Sequence, residues 1–198
     1  MGQAAKVALL IDHAAVERMA EALAALRERG GGLFLIGVGG SAANCSHAVN
    51  DFRKLAGIEC YSPCDNVAEL TARTNEEGWS KVFESSLVTS QACCSDAILV
   101  LSVGGGDSGR NVSSNIVPAV AEAKKRARRV FGILGRDGGH TARFADEAII
   151  ISSVDADLVT PLAESFRAIV WHCLVCHPKL LQRPNRWESI STLADVIS

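Results

Sequence analysis

The sequence lacks a strong net charge of either sign. It has 198 residues with 20 Lys and Arg against 22 Asp and Glu, a formal net charge of −2. This balance gives no general electrostatic reason to expect nucleic acid or an anionic membrane surface as a partner. One basic cluster, residues 124–129, is expected to be the solvated C-terminal end of a helix, where cations complement the helix dipole. A nucleic-acid patch is the alternative.

The sequence also lacks a long hydrophobic run. No apolar stretch approaches the roughly 20 residues needed to cross a bilayer. The first 15 residues lack a basic segment followed by an apolar core of the kind found in a secretory signal. We therefore expect a cytoplasmic protein with no membrane partner.

A paired set of cysteines is missing as well, because the chain has seven. An odd number scattered through apparent strands and helices fits a reduced compartment better than a disulfide framework, and most of the thiols are expected to be buried. Cys173 and Cys176 have the C-x-x-C spacing of redox and zinc sites. They lie late in an apolar helical run and not after a strand, so we interpret them as two small residues on one helix face.

The chain is 48% hydrophobic and alternates between two patterns. Short continuous apolar runs alternate with segments of helical periodicity, which predicts a parallel sheet covered by helices on both faces. We predict one α/β domain over residues 1–198, a doubly wound five-stranded parallel sheet, with no structure assigned to the tail at about 182–198. The predicted strands are 33–38, 58–61, 97–103, 130–134 and 148–152, and the predicted helices are 13–29, 41–55, 79–91, 112–128, 136–145 and 161–181.

The N-terminal helix, at about 13–29, has a wide apolar face. Val16, Met19, Leu23 and Leu26 belong to that face. Such a face needs a partner, which is either the core of its own domain or a second subunit.

Two glycine-rich loops follow predicted strands. In doubly wound sheets, ligands bind beyond the carboxyl ends of the strands, near the point where the strand order reverses. Free N–H groups in such loops and at a helix start suit an anion such as phosphate. The G-x-G-x-x-G spacing of a dinucleotide site fails because Ala42 occupies its last position, so no nucleotide cofactor is expected. The candidate phosphate-binding residues are Gly39, Gly40, Ser41, Ser102, Gly104, Gly105, Gly106, Ser108 and Arg110.

The helix after the first loop carries His47 and Asp51, four residues apart. This spacing places both side chains on one helix face, one turn apart. A phosphate site beside an imidazole and a carboxylate indicates proton chemistry on a phosphorylated metabolite.

With these residues assembled, the sequence resembles the SIS (sugar isomerase) domain family, and within it the phosphoheptose isomerases, over roughly residues 13 to 178. The order and spacing of several motifs carry the resemblance, although any one of them alone is weak. They are 37–41 (GVGGS), His47 with Asp51, 75–78 (NEEG), 102–108 (SVGGGDS), 136–139 (RDGG), and Glu164 with His172.

The resemblance implies a flavodoxin-like strand order and an aldose–ketose isomerase that converts sedoheptulose 7-phosphate to glycero-manno-heptose 7-phosphate by enediol proton transfer. Asp51 and His172 would be catalytic, and Asn75, Glu76 and Glu164 would join the substrate site. A divalent metal such as zinc would be held by the two imidazoles and two carboxylates of His47, Asp51, Glu164 and His172. The family also implies a homotetramer with active sites at subunit interfaces.

The chain departs from the family pattern at Val38, Asp51 and Glu164, where the family has Asn, Glu and Gln. An alternative is therefore a non-catalytic SIS domain that binds a sugar phosphate as a sensor or assembly partner. Geometry adds a constraint, because residues eight apart on an unbroken helix are separated by about 12 Å of rise and about 80° of rotation. Glu164 and His172 can share one ion only if the helix is irregular or if they come from different subunits.

Overall fold

The computed structural model describes residues 1–184 and contains a five-stranded parallel sheet. The strand order is β2-β1-β3-β4-β5, and every neighbouring pair is parallel. Each strand overlaps its predicted range, and the observed strand order is the flavodoxin-like order that was expected. The predicted doubly wound sheet is therefore confirmed. The predicted tail lies largely outside the described residues. The strands are β1 (Leu33–Ile36), β2 (Cys60–Tyr61), β3 (Ala97–Ser102), β4 (Arg129–Gly135) and β5 (Glu147–Ile151).

Eight α-helices precede, connect or follow the strands within the described part of the chain, with short 3₁₀ turns at Trp79–Lys81 and Ala156–Leu158. Neither α1 nor α4 was predicted from the sequence. Helical periodicity in a sequence reflects burial of one face, and α1 buries only Val7 whereas α4 buries no residue. The helices are α1 (Gly2–Leu10), α2 (His13–Glu28), α3 (Gly40–Lys54), α4 (Val67–Glu76), α5 (Val82–Thr89), α6 (Ile116–Lys125), α7 (Gly139–Phe144) and α8 (Val159–Val175).

The sheet is buried on both faces, and β3 shows why. Successive side chains of a strand point to opposite faces. Leu99 and Leu101 pack with α2, α3 and α8, whereas Ile98 and Val100 pack with α5 and α6. A strand covered on both sides must be apolar at every position, which explains the continuous apolar run of this strand in the sequence.

The apolar face of α2 is used inside the chain. Asp12 caps the helix by accepting hydrogen bonds from the N–H groups of Ala14 and Ala15. Met19, Leu23 and Leu26 are buried in the core beside α8. Of the two partners considered for this face, the structure shows the chain's own core.

Two expectations about composition are corrected. Only Cys45 and Cys60 are buried and Cys64 is half-buried, whereas the other four cysteines, among them Cys93 and Cys173, are exposed. The expectation that most thiols are buried is therefore wrong, because the exposed cysteines lie in a turn before β3, on the outward face of α8 and at its C-cap. Burial raises the pKa of the Cys60 thiol well above its ordinary value.

The basic cluster is divided between surface and core. Lys124 lies in the last turn of α6 and donates to Asp146 at the surface, as expected of a solvated helix end. Arg128 is fully buried and donates to the carbonyl of Ala92. The interpretation as a wholly solvated face is wrong for that residue.

One described helix, Ala156–Val175, is long and apolar enough by length and composition to cross a membrane, contrary to the expectation from the sequence. This is weak evidence, since the core helix of a globular domain passes the same test. Seven residues of α8, including Trp171 and the charged Arg167, are buried within the fold.

Candidate active site

A cavity of about 270 Å³ lies at the carboxyl ends of β1 and β3. The strand order reverses between these two strands, which is where doubly wound sheets bind ligands. Val38 and Ser41 follow β1, and Ser102 ends β3. The cavity is lined by Val38, Ser41, Ser102, Val103, Gly104, Val112, Ser113, Arg136, Thr160 and Glu164.

The predicted phosphate and substrate residues divide into two groups. Ser41, Ser102, Gly104 and Glu164 line the cavity, and Gly39 and Gly40 form the adjoining start of α3. The others lie elsewhere: Gly105 and Gly106 are buried, whereas Asn75, Glu76, Ser108 and Arg110 are exposed outside the cavity.

The carbonyl oxygens of Gly105 and Gly106 support α7. The Gly105 carbonyl accepts hydrogen bonds from the backbone and the hydroxyl of Thr141, and the Gly106 carbonyl accepts from the His140 N–H. The Gly105 N–H donates to Ser102 Oγ at 3.0 Å. A Cβ on Gly105 would lie 1.8 Å from the Gly138 carbonyl oxygen, so this position requires glycine.

The start of α3 already has a carboxylate beside it. A Cβ on Gly40 would lie 2.6 Å from Glu164 Oε2. A carboxylate is favourable at the positive end of a helix, and it disfavours a second anion in the same place. The same cavity also presents Ser102, Ser113 and Arg136, none of which carries a negative charge.

Arg136 is a cavity residue that was not predicted as a site residue from the sequence. The only sequence signal for it is its place in the motif at 136–139. Its φ is +53°, a left-handed conformation that costs a side-chain-bearing residue free energy and often marks a functional position. Arg110, the predicted cation, has an 82% exposed side chain and lies 3.7 Å from Asp107. Ser113 and Thr160 were also missed, and no sequence signal pointed to them.

A second group of polar side chains joins α3 to α8. Asp51 Oδ2 lies 3.8 Å from His47 Nε2 and 3.8 Å from His172 Nε2. The ligand atoms of these three residues all lie within 4.8 Å of one another. Asp51 is mostly buried and also accepts a hydrogen bond from Asn50, whereas both imidazoles are about half exposed.

Contacts around His172 fix its ring. Its Nδ1 lies 2.7 Å from the Ala168 carbonyl oxygen. Because a carbonyl only accepts, Nδ1 carries the proton, and the lone pair of the neutral ring is on Nε2, which faces Asp51. Trp171 stacks on the His172 ring and contacts the edge of His47, and its Nε1 donates to Asn44. These orienting residues were not found from the sequence.

Glu164 is not brought to this group. It lies on the same continuous helix as His172, eight residues away, which separates them by about 12 Å of rise. Because α8 is continuous between these residues, Glu164 and His172 of one chain cannot bind the same ion. Two imidazoles and one carboxylate suit a divalent ion such as zinc, and three protein ligands are typical of catalytic zinc sites, which keep a fourth position open.

No protein-family model matches the chain, but curated relatives do. Phosphoheptose isomerase of Pelobacter propionicus is 31% identical over 163 residues, covering 80% of each chain. The chain belongs to the phosphoheptose isomerase family. The resemblance inferred from the motifs is thus confirmed.

Two further relatives are longer than this chain. The lincomycin biosynthesis protein LmbN of Streptomyces lincolnensis is 34% identical over 154 residues, and phosphoheptose isomerase of Chlorobium phaeobacteroides is 31% identical over 147 residues. The alignments cover 73% and 71% of this chain but only 54% and 62% of those proteins.

Solved structures show the same fold. Phosphoheptose isomerase GmhA of Neisseria gonorrhoeae superposes with a TM-score of 0.75 at 23% identity, covering 88% of this chain and 91% of that one. At this level of identity the likeness concerns the fold of the phosphoheptose isomerase family and not the roles of individual residues.

Proposed function

We propose that this chain is an aldose–ketose isomerase that interconverts sedoheptulose 7-phosphate and glycero-manno-heptose 7-phosphate. The observation that carries the proposal is that Asp51 of α3 lies close to His172 of α8, in a chain of the phosphoheptose isomerase family. An isomerase of this kind needs a base for a carbon-bound proton and a second group for a hydroxyl proton, and these two side chains supply them.

The proton transfers follow from the orientation of the two groups. The Asp51 carboxylate removes the proton from the carbon next to the carbonyl, which gives an enediol, and returns it to the neighbouring carbon. His172 Nε2, which holds the lone pair, accepts the proton of the hydroxyl that becomes the new carbonyl. That proton moves to the oxygen of the old carbonyl, so no net proton is gained or lost.

The phosphate of the substrate is proposed to bind at the Arg136 side of the cavity. Ser102, Ser113 and Thr160 line the cavity with hydroxyl groups, and the Arg136 guanidinium matches phosphate geometry. This revises the expectation that Gly105, Gly106, Ser108 and Arg110 hold the phosphate, since they lie outside the cavity.

A divalent metal, for which zinc is the proposed ion, would be held by His47, Asp51 and His172. Bound there, it would polarise the carbonyl oxygen of the sugar. The shared position of Asp51 Oδ2 between two imidazoles fits this role. The single lone pair of His172 Nε2 binds either the ion or a proton, so the proton-accepting role of His172 applies to the metal-free group. Glu164 is assigned to the substrate cavity.

The active protein is proposed to be a homotetramer with its sites at subunit interfaces. Leu9 of α1 is 84% exposed and Ile169 of α8 is 50% exposed, and His47 and His172 open to solvent near the latter. The cavity and the His47–Asp51–His172 group of one chain are about two helix turns apart. A second copy would cover these apolar residues and bring its cavity toward the group. Sedimentation showing only a 20.9 kDa monomer would contradict this.

We also propose a cytoplasmic location. Cys45 and Cys60 are free, buried thiols, and desolvation is the main cause of their raised pKa values. Free thiols of this kind fit a reducing compartment, where cysteines stay reduced.

The proposed activity is tested by proton exchange in deuterated water. An isomerase incorporates deuterium from solvent into sedoheptulose 7-phosphate at the carbon next to the carbonyl, which proton NMR detects as loss of a signal. Binding of the sugar phosphate without exchange or turnover would instead support the non-catalytic alternative.

A further inference from the structure

Arg167 of α8 is a fully buried cation. Its relative exposure is 0%, and none of its three guanidinium nitrogens has a hydrogen-bond partner in the structure. Burial lowers the pKa of this guanidinium. Because a buried charge is very unfavourable without a partner, its presence requires a nearby opposite charge.

Glu164 provides that charge. Its Oε1 lies 3.7 Å from Arg167 Nη2, and it is the only carboxylate that the described residues place in ion-pair range of Arg167. The side chain of Glu164 is 34% exposed and lines the cavity. The pair therefore extends from the core to the wall of the candidate substrate site.

The carboxylate is also confined from its other side. It lies over Gly40, where a Cβ would come within 2.6 Å of Oε2 and 2.7 Å of Oε1. Gly40 is the first residue of α3, whose positive end favours a negative charge. Arg167 behind it and the start of α3 beside it leave the carboxylate little freedom to turn away from the cavity.

We propose that Arg167 is a positioning residue that holds the Glu164 carboxylate in the cavity as the acceptor for hydroxyl groups of the sugar chain. Phosphate binds near Arg136, which lines the same cavity. A charged acceptor makes hydrogen bonds roughly twice as strong as a neutral one. This inference rests on the proposed function, which supplies the class of ligand, a sugar phosphate.

The test is calorimetric binding of two probes, sedoheptulose 7-phosphate and inorganic phosphate, to the full chain. Glu164→Gln and Arg167→Met should each weaken binding of the sugar phosphate by about 10-fold, because a charged acceptor is lost or misplaced. Affinity for inorganic phosphate should stay within about 3-fold, since no hydroxyl chain is present. The double variant should bind no more weakly than the weaker single variant, because the two residues act as one unit.

Arg128→Met is the matched control. Arg128 is also fully buried with unpartnered nitrogens, but its guanidinium donates to Ala92, away from the cavity. This variant should lose thermal stability without a change in either affinity. Arg167→Lys, which keeps the charge, should restore most of the binding of the sugar phosphate.

If Arg167→Met does not fold, Gly40→Ala replaces it. The added Cβ displaces the Glu164 carboxylate while leaving both charges, and the same selective loss is expected. An equal loss for inorganic phosphate, or an Arg167→Met variant that only loses stability as Arg128→Met does, would overturn the inference.

Because these are binding measurements, they are independent of catalysis. A wild-type protein that shows the selective loss in its variants but no turnover removes the isomerase proposal alone. Normal turnover with unchanged affinity in Arg167→Met and Glu164→Gln removes this inference alone.

Discussion

Asp51 and His172 meet from two different helices, with Asp51 Oδ2 3.8 Å from His172 Nε2. The same carboxylate oxygen lies 3.8 Å from His47 Nε2, so one atom faces two imidazoles. In a tetrahedral zinc site with bonds of about 2.0–2.2 Å, ligand atoms lie ~3.3–3.6 Å apart. The side chains are therefore close to a ligating arrangement and need only small movements to reach it.

The Asp51–His172 pair gives the first prediction. Asp51→Asn and His172→Gln should each lower isomerase turnover by about 10²–10⁴-fold, the usual contribution of a general acid or base. His177→Gln is the control, since His177 contacts Glu17 at 3.1 Å and lies outside the group. Steady-state rates by proton NMR check this, with circular dichroism for folding. Full turnover in both active-site variants would refute the assignment.

Metal binding gives the second prediction. Dialysis against zinc followed by elemental analysis should give one ion per chain. His47→Ala and His172→Gln should each weaken zinc binding by more than about 10-fold. Even mutation of residues that only hydrogen-bond to metal ligands typically lowers metal affinity by about 10–100-fold. His140→Gln, on α7 beside Phe144, should bind zinc as the wild type does. Zinc retained equally in all variants would place the ion elsewhere.

The third prediction separates Arg136 from Arg110. Arg136→Gln should weaken binding of inorganic phosphate by about 10-fold or more, because a charge-assisted hydrogen bond contributes roughly 1.5–3 kcal/mol. Arg110→Gln removes the same charge from the exposed loop and should change the affinity little. Calorimetry on both variants checks this, and the reverse order of effects would restore the site predicted from the sequence.

The fourth prediction concerns two neighbouring glycines. Gly105→Ala should destabilise the fold by about 3 kcal/mol or more, because its Cβ meets the Gly138 backbone at a φ of +67°. Gly104→Ala is the control, since a Cβ there meets nothing within 4 Å. Denaturant unfolding measures both. Similar stability of the two variants would contradict the role of Gly105 in supporting α7.

The sequence by itself determined the sheet and its ligand edge. Residues 97–101 are apolar at every position because both faces of that strand are buried, and such runs alternating with helices predict a doubly wound sheet. The i, i+4 spacing of His47 and Asp51 likewise needs no tertiary information, since helix geometry alone places them together. The motif order then indicated the family.

Only the tertiary structure decided which residues share a site. It brought His172 to Asp51 and kept Glu164 apart, because α8 is unbroken and packs beside α3. The structure also shows that Arg136, and not the predicted Arg110, lines the cavity, because the path of a loop depends on tertiary contacts such as those of Gly105 with α7. Spacing along a chain fixes neighbours within one helix, whereas neighbours between elements depend on how buried faces pack, and sequence periodicity does not record that.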